Sequence, residues 1–182
     1  PNGGKVAEIG KTLPAKMDTG AMTASLSARD IETFTGRTRQ YIFISSASVY
    51  KKHPYAYMTS ETTTPAINPY WPYSQAKIAC ENLMKGSDLP WVNVRPSHTT
   101  RTGLPTMLNE GDSVALRMLA GKPVLVAGDG TAIWTLTRSE DFAKPFVKLF
   151  GNPASMREDF HITGDVGFTW DAIYMSIARG LA

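Results

Sequence analysis

The 182-residue chain is poor in the residues that build covalent or metal-centred frameworks. Its one cysteine, Cys80, excludes an internal disulfide, and its three dispersed histidines, His53, His98 and His161, give no metal-ligand cluster. No apolar run approaches the ~20 residues of a membrane span. The opening "PNGGKVAEIGK" has no apolar core of a signal peptide. These absences point to a reducing, cytoplasmic setting with no membrane partner. Charge of one sign is scarce as well, since 19 Lys and Arg against 16 Asp and Glu leave a net charge of +3. The basic residues are scattered apart from short groups at Arg37–Arg39 and Lys51–Lys52, which argues against nucleic acid as a partner. Nowhere is there a G-x-G-x-x-G or G-x-x-G-x-x-G turn, the element that seats a pyrophosphate at a helix N-terminus.

What is present, 42% hydrophobic and 19% charged residues, suits a globular domain with a sizeable core. From Gln40 onward strand and helix patterns alternate. "YIFIS" (Tyr41–Ser45) is a short β-branched and aromatic run of the kind buried in a parallel sheet. A loop rich in Thr, Pro and Tyr leads to a helix from Tyr73 to Lys85, stopped by Gly86. "WVNVRP" (Trp91–Pro96) predicts a strand, "GDSVALRMLAG" a helix, and "KPVLVAGDG" a strand ending in a turn at Gly128–Gly130. Ser139 to Phe150 predicts a helix containing Pro145, "FHIT" a strand, and "TWDAIYMSIARGL" a terminal helix with one apolar face. In residues 1–39, "VAEIG" and "LPAKMD" predict two strands, and "DTGAMTASLSARDIETF" a turn followed by polar, small-residue sequence. The expected fold is α/β, a partial Rossmann-like parallel sheet with flanking helices. The expected domains are an N-terminal appendage over residues 1–36 and the α/β domain over 37–182.

The stretch "NPYWPYSQAKIACENL" sets Tyr73 and Lys77 four residues apart, on one face of the predicted helix. A tyrosine phenol with its ordinary pKa of ~10 exchanges protons poorly at neutral pH. A lysine ammonium beside it favours the phenolate and lowers that pKa. A hydroxyl from the C-terminal end of a neighbouring strand would complete a group that moves a proton to or from a substrate oxygen. Ser45, Ser46 and Ser48 follow "YIFI" at that place.

"FISSASVY", "SETTTPAINPYWPYSQAKIACENLM", "VNVRPSHT", "GDGTAIWTLTRSEDFAKPFVKLFGNP" and "FHITGDVGFTWDAIY" occur in one order. Over about residues 30–182 this succession resembles the extended short-chain dehydrogenase/reductases, the NAD-dependent epimerases and dehydratases. The resemblance implies an oxidoreductase acting on a sugar-like or nucleotide-sugar substrate with NAD or NADP. It assigns the catalytic roles to Ser46, Tyr73 and Lys77. It gives Ser45, Tyr73, Lys77, Pro96 and Ser97 to the cofactor, and His98 to the substrate. The missing glycine turn leaves the pyrophosphate half of the site without a counterpart, so the expectation includes a chain inactive for that reason. A sheet edge left unpaired by missing strands would favour a homo-oligomer.

Residues 13–34, "LPAKMDTGAMTASLSARDIETF", resemble a second family, the retropepsin-like aspartic peptidases with a D-T-G-A motif, often described as ATP-dependent zinc proteases. That resemblance implies an alternative in which Asp18 is a catalytic aspartate and a dimer supplies the second carboxylate. A further alternative is a non-catalytic relative of the first family that binds RNA.

Overall fold

The computed structural model describes residues 16–18, 24–52, 59–107 and 110–182. The strand expected at "VAEIG" and the turn residues Thr19 and Gly20 lie outside the described residues. The chain divides into two compact units. One contains the described residues up to Lys52, Thr59–Arg95 and Phe146–His161, and the other Pro96–Pro145 and Ile162–Ala182, apart from residues 108–109.

The first unit is built on a four-stranded sheet, in the order β1 (Lys16–Asp18), β2 (Tyr41–Ile44), β3 (Trp91–Pro96), β6 (Asp159–Ile162). β1 pairs parallel with β2, with Lys16 opposite Tyr41, and β2 pairs parallel with β3, with Tyr41 opposite Trp91. Parallel neighbours need a crossover, and two helices supply it. These are α1 (Ala24–Phe34) between β1 and β2, and α2 (Pro72–Lys85) between β2 and β3. The expected parallel sheet with flanking helices is therefore present, and it includes Lys16–Asp18.

Within the polar, small-residue sequence expected after Asp18, residues Ala24–Phe34 form the helix α1. Its inward positions are Ser27, Ile31 and Phe34, spaced by four and three residues. Ser27 is fully buried. Such a face carries few large apolar residues, which hides its period. The core joins Phe34, Tyr41, Phe43, Cys80, Met84, Leu89 and Trp91, with Ile31 against it. Tyr41 and Phe43 alternate along β2 and so share one sheet face. The Tyr41 hydroxyl, buried under α1, donates to Asp30 Oδ2 at 2.6 Å.

Two opposite charges, Arg95 and Glu81, are fully enclosed in this unit. Arg95 of β3 donates from Nε to Glu81 Oε1 at 2.9 Å and from Nη2 to Glu81 Oε2 at 2.6 Å. Nη2 also meets Asp159 Oδ2 at 2.7 Å, and Nη1 the Tyr50 hydroxyl at 3.3 Å. Burial works to lower the Arg95 pKa, but the hydrogen bonds and negative charge of Glu81, with Asp159 behind, outweigh it and hold the guanidinium firmly charged. The same burial pushes the Tyr50 phenol above its ordinary value.

The second unit holds a three-stranded sheet of β4 (His98–Thr100), β5 (Ile133–Arg138) and β7 (Gly167–Thr169). β4 and β5 are parallel, β5 and β7 antiparallel. The helices α3 (Ser113–Leu119) and α5 (Trp170–Leu181) pack together, and α5 buries Trp170, Ile173 and Tyr174. The strand expected at "KPVLVAGDG" is corrected to a loop: Pro123 lacks an N–H, Leu125 is 77% exposed, and β5 takes the sheet position instead. The turn that follows is as expected, with Gly128 and Gly130 at positive φ and Asp129 Oδ1 accepting from the Thr131 N–H at 3.1 Å. The helix α4 (Ser139–Val147) contains Pro145 and ends two residues past it. Among the described residues no helix is long and apolar enough to cross a membrane.

Removing one partner of a buried pair leaves the other charge uncompensated. Glu81→Ala is expected to lower unfolding stability by about 3–5 kcal/mol. Urea denaturation of the two proteins at one pH checks this.

Candidate active site

The C-terminal end of β2 and the N-terminal end of α2 meet around Lys77. Pro72 at the first helical positions opens α2 with its φ already set, and Trp71 before it is extended. Tyr73 and Lys77 then fall on the same face. The Lys77 side chain runs into the unit, leaving the residue only 3% exposed, and its Nζ donates to the Ile44 carbonyl at 2.8 Å. Nζ lies 4.9 Å from the centre of the Phe43 ring and 5.9 Å from that of Tyr73. A buried ammonium needs such partners to avoid the cost of desolvation. The Tyr73 ring is half-buried and packs against Trp71, with ring centres 4.9 Å apart.

Immediately after β2 the chain turns through a short 3₁₀ segment, Ala47–Val49. Ser46 caps it, with its Oγ accepting the Ser48 N–H at 3.1 Å. That bond uses a lone pair and leaves the hydroxyl hydrogen to point elsewhere. The Ser45 and Ser48 hydroxyls are buried with no hydrogen-bond partner. Buried hydroxyls are normally paired. Two unpaired ones at the C-terminal end of a parallel strand mark the place where open α/β sheets take their ligands.

The sequence therefore brought together Ser45, Ser46, Tyr73 and Lys77, and the structure puts all four in the first unit. Pro96, Ser97 and His98 lie in the second. There Ser97 Oγ is 2.9 Å from Thr135 Oγ1, and the His98 ring stands edge-on to Trp170 with centres 5.9 Å apart. Burial holds the His98 imidazole below its ordinary pKa.

Two buried residues bearing on this region escaped the sequence reading. Glu81 continues the Tyr73–Lys77 face of α2 by a further four residues and fastens it to Arg95. That i+8 spacing was the available signal. Asn68, in the loop before α2, bonds to the 3₁₀ turn, and nothing in its sequence surroundings marked it.

Comparison with known proteins places these features. Residues 18–163 match the model of the NAD dependent epimerase/dehydratase family, which is most of the chain. The chloroplast stem-loop binding protein of 41 kDa b of Arabidopsis thaliana is 28% identical over 144 residues, covering 79% of this chain and 36% of that protein. The UDP-glucuronic acid 4-epimerase of Bacillus cereus, solved with UDP-glucuronic acid and NAD, superposes with a TM-score of 0.71 at 22% identity, over 86% of this chain and 50% of its own. The dTDP-glucose 4,6-dehydratase of Bacillus anthracis, solved with NAD, gives 0.74 at 18% identity, over 91% of this chain and 56% of its own. The chain thus spans about a third of the curated relative and about half of the solved ones. The peptidase resemblance of residues 13–34 finds no support. Asp18 onward lies inside the family match, and Lys16–Asp18 is a strand of the same parallel sheet.

Burial also lowers the pKa of His161, whose ring packs on Tyr50 with centres 5.1 Å apart. Both described histidines therefore bind protons less readily folded than unfolded. Stability is then fully present above the unfolded value of about 6.5 and is lost as pH falls from there through the folded pKa values. Urea midpoints are expected to drop between pH 7.5 and 5.5. His161→Phe flattens that slope, and imidazole NMR titrations of His98 and His161 lie below the free value.

Proposed function

Since the chain belongs to the NAD dependent epimerase/dehydratase family, we propose that it carries the proton-transfer half of a nicotinamide-dependent oxidoreductase acting on a carbon of a sugar-like substrate. The observation that carries this reading is the buried Lys77 ammonium, anchored on the Ile44 carbonyl and 5.9 Å from the Tyr73 ring centre. The nucleotide-sugar class comes from the neighbours, one of which was solved with UDP-glucuronic acid and NAD.

In this reading Tyr73 takes the proton from, or returns it to, the substrate hydroxyl whose carbon is oxidised or reduced. Lys77, fixed by the Ile44 carbonyl, holds its positive charge 5.9 Å from the Tyr73 ring centre. Ser46, with its hydrogen still available, donates to the same substrate oxygen. The unpaired Ser45 hydroxyl and the Lys77 ammonium fit the polar nicotinamide-ribose end of NAD or NADP. When bound, that group supplies the hydride donor or acceptor. The roles of Pro96 and Ser97 toward the nicotinamide and of His98 toward the substrate belong to the same reading and rest on the family pattern.

The name of the curated relative is the ground for a second reading. The Arabidopsis relative is named for stem-loop binding. In that case the site residues are inherited and the ligand is a folded RNA.

Two measurements separate the readings. With NAD and UDP-glucuronic acid, Tyr73→Phe is expected to lower turnover by about 10²–10⁴-fold, the range for losing a general acid/base. NAD affinity in that variant stays within about threefold. No calorimetric heat at millimolar NAD or NADP would sink the first reading. Under the second, affinity for an RNA stem-loop falls steeply with salt, log K against log salt being linear. Affinity independent of salt would exclude it.

A further inference from the structure

A buried side chain before α2 reaches back to the 3₁₀ turn and forward to the helix. Asn68 is 3% exposed. Its Nδ2 donates to the Ser48 carbonyl at 2.7 Å and faces Ser74 Oγ at 3.4 Å. Its Oδ1 accepts the Tyr70 N–H at 3.1 Å. The network fixes the amide's orientation, because a carbonyl can be met only by the NH₂ group and an N–H only by the oxygen.

Each of these contacts reaches a different part of the candidate site. Ser48 is the residue whose N–H holds Ser46 Oγ at 3.1 Å. Ser74 follows Tyr73 on α2. Tyr70 leads into Trp71 and Pro72, where α2 begins. The hydroxyl of Ser46 and the phenol of Tyr73 are thus carried on two segments that the Asn68 amide joins from the loop between them.

We infer that Asn68 is a positioning residue that sets the separation and aim of Ser46 and Tyr73. The inference rests on the proton-transfer reading for its catalytic consequence, but the joining itself does not depend on that reading. A displacement of about 1 Å in a reacting group can cost about 10²-fold in rate. An amide that spans both segments is therefore placed to control turnover without touching substrate. Asp at this position separates two roles. It keeps the acceptor for Tyr70 but loses the amide donor, since an ionised carboxylate cannot donate to the Ser48 carbonyl.

The test compares the wild-type chain with Asn68→Ala and Asn68→Asp, by amide hydrogen exchange read residue by residue in NMR and by kinetics with NAD and UDP-glucuronic acid. The amides of Val49 and Tyr50, bonded within the Ser46 turn, and of Gln75, bonded to Trp71, report the two segments. Ser45, whose N–H bonds to Val94, reports the sheet. In both variants Val49, Tyr50 and Gln75 are expected to exchange at least about tenfold faster, while Ser45 changes by less than threefold. The kcat is expected to fall about 10–100-fold, with KM within threefold. Asp behaving as wild type, exchange rising equally at Ser45, exchange unchanged at Val49 or Gln75, or unchanged kcat in an active enzyme each overturn the inference. A wild-type chain with no turnover defeats the proton-transfer reading, and the exchange pattern then decides on the joining alone.

Discussion

The arrangement depends on one enclosed ion pair, the fork of Arg95 on Glu81. Tyr73, Lys77 and Glu81 succeed one another every four residues along α2 and form one stripe. Glu81 is gripped through two oxygens by a guanidinium that grows from β3. A bidentate bond fixes direction as well as distance. It therefore sets the rotation of α2 about its own axis, and with it the aim of Lys77 toward the Ile44 carbonyl and of Tyr73 beyond. Apolar packing of Cys80 and Met84 holds the helix against the sheet, but packing alone tolerates small rotations. Asp159 and Tyr50 complete the shell of Arg95, so the charge has little freedom to swing away.

Around that anchor the unit divides its labour between strands and turns. The strands β2 and β3 are apolar or satisfied along most of their length. Trp91 and Asn93 within β3 each keep one buried side-chain atom without a partner, and the Ser45 and Ser48 hydroxyls, likewise unpaired, come just after β2 ends. This follows from what a parallel strand demands: its ladder consumes backbone donors and acceptors until the last pair, and only the residues past it can offer polar groups to a ligand. Lys77 bridges the two regimes, with its stem beneath α2 and its ammonium on the final carbonyl of β2.

Much of this was legible in the sequence, for identifiable reasons. "YIFIS" and "WVNVRP" are dense enough in β-formers to be read as buried strands, and the apolar face of α5 is complete enough to be read as a helix. The Tyr73–Lys77 pair was visible through spacing and through its neighbours in order. What stayed hidden had weak local signals. The inward face of α1 relies on Ser27 and two larger residues, too few to mark a helical period in the sequence. "KPVLVAG" has strand composition, but no neighbouring strand takes it, and pairing is a tertiary property. "LPAKMDTGAMTASLSARDIETF" drew a comparison with peptidases because a local stretch does not show that its Lys16–Asp18 pairs with β2 in a parallel sheet. Asn68 was invisible because its partners, Ser48 and Ser74, are far from it in pattern though close in space.

The position of Cys80 has a practical meaning for the chemistry of opening. Its thiol is fully buried under α2, in the cluster with Phe43, Met84 and Trp91. Reagents that capture thiolates can reach it only when α2 lifts from the sheet. As the sole sulfhydryl of the chain, it makes each such event countable: the rate of its modification is a clock for how often the helix bearing Tyr73 and Lys77 leaves its seat.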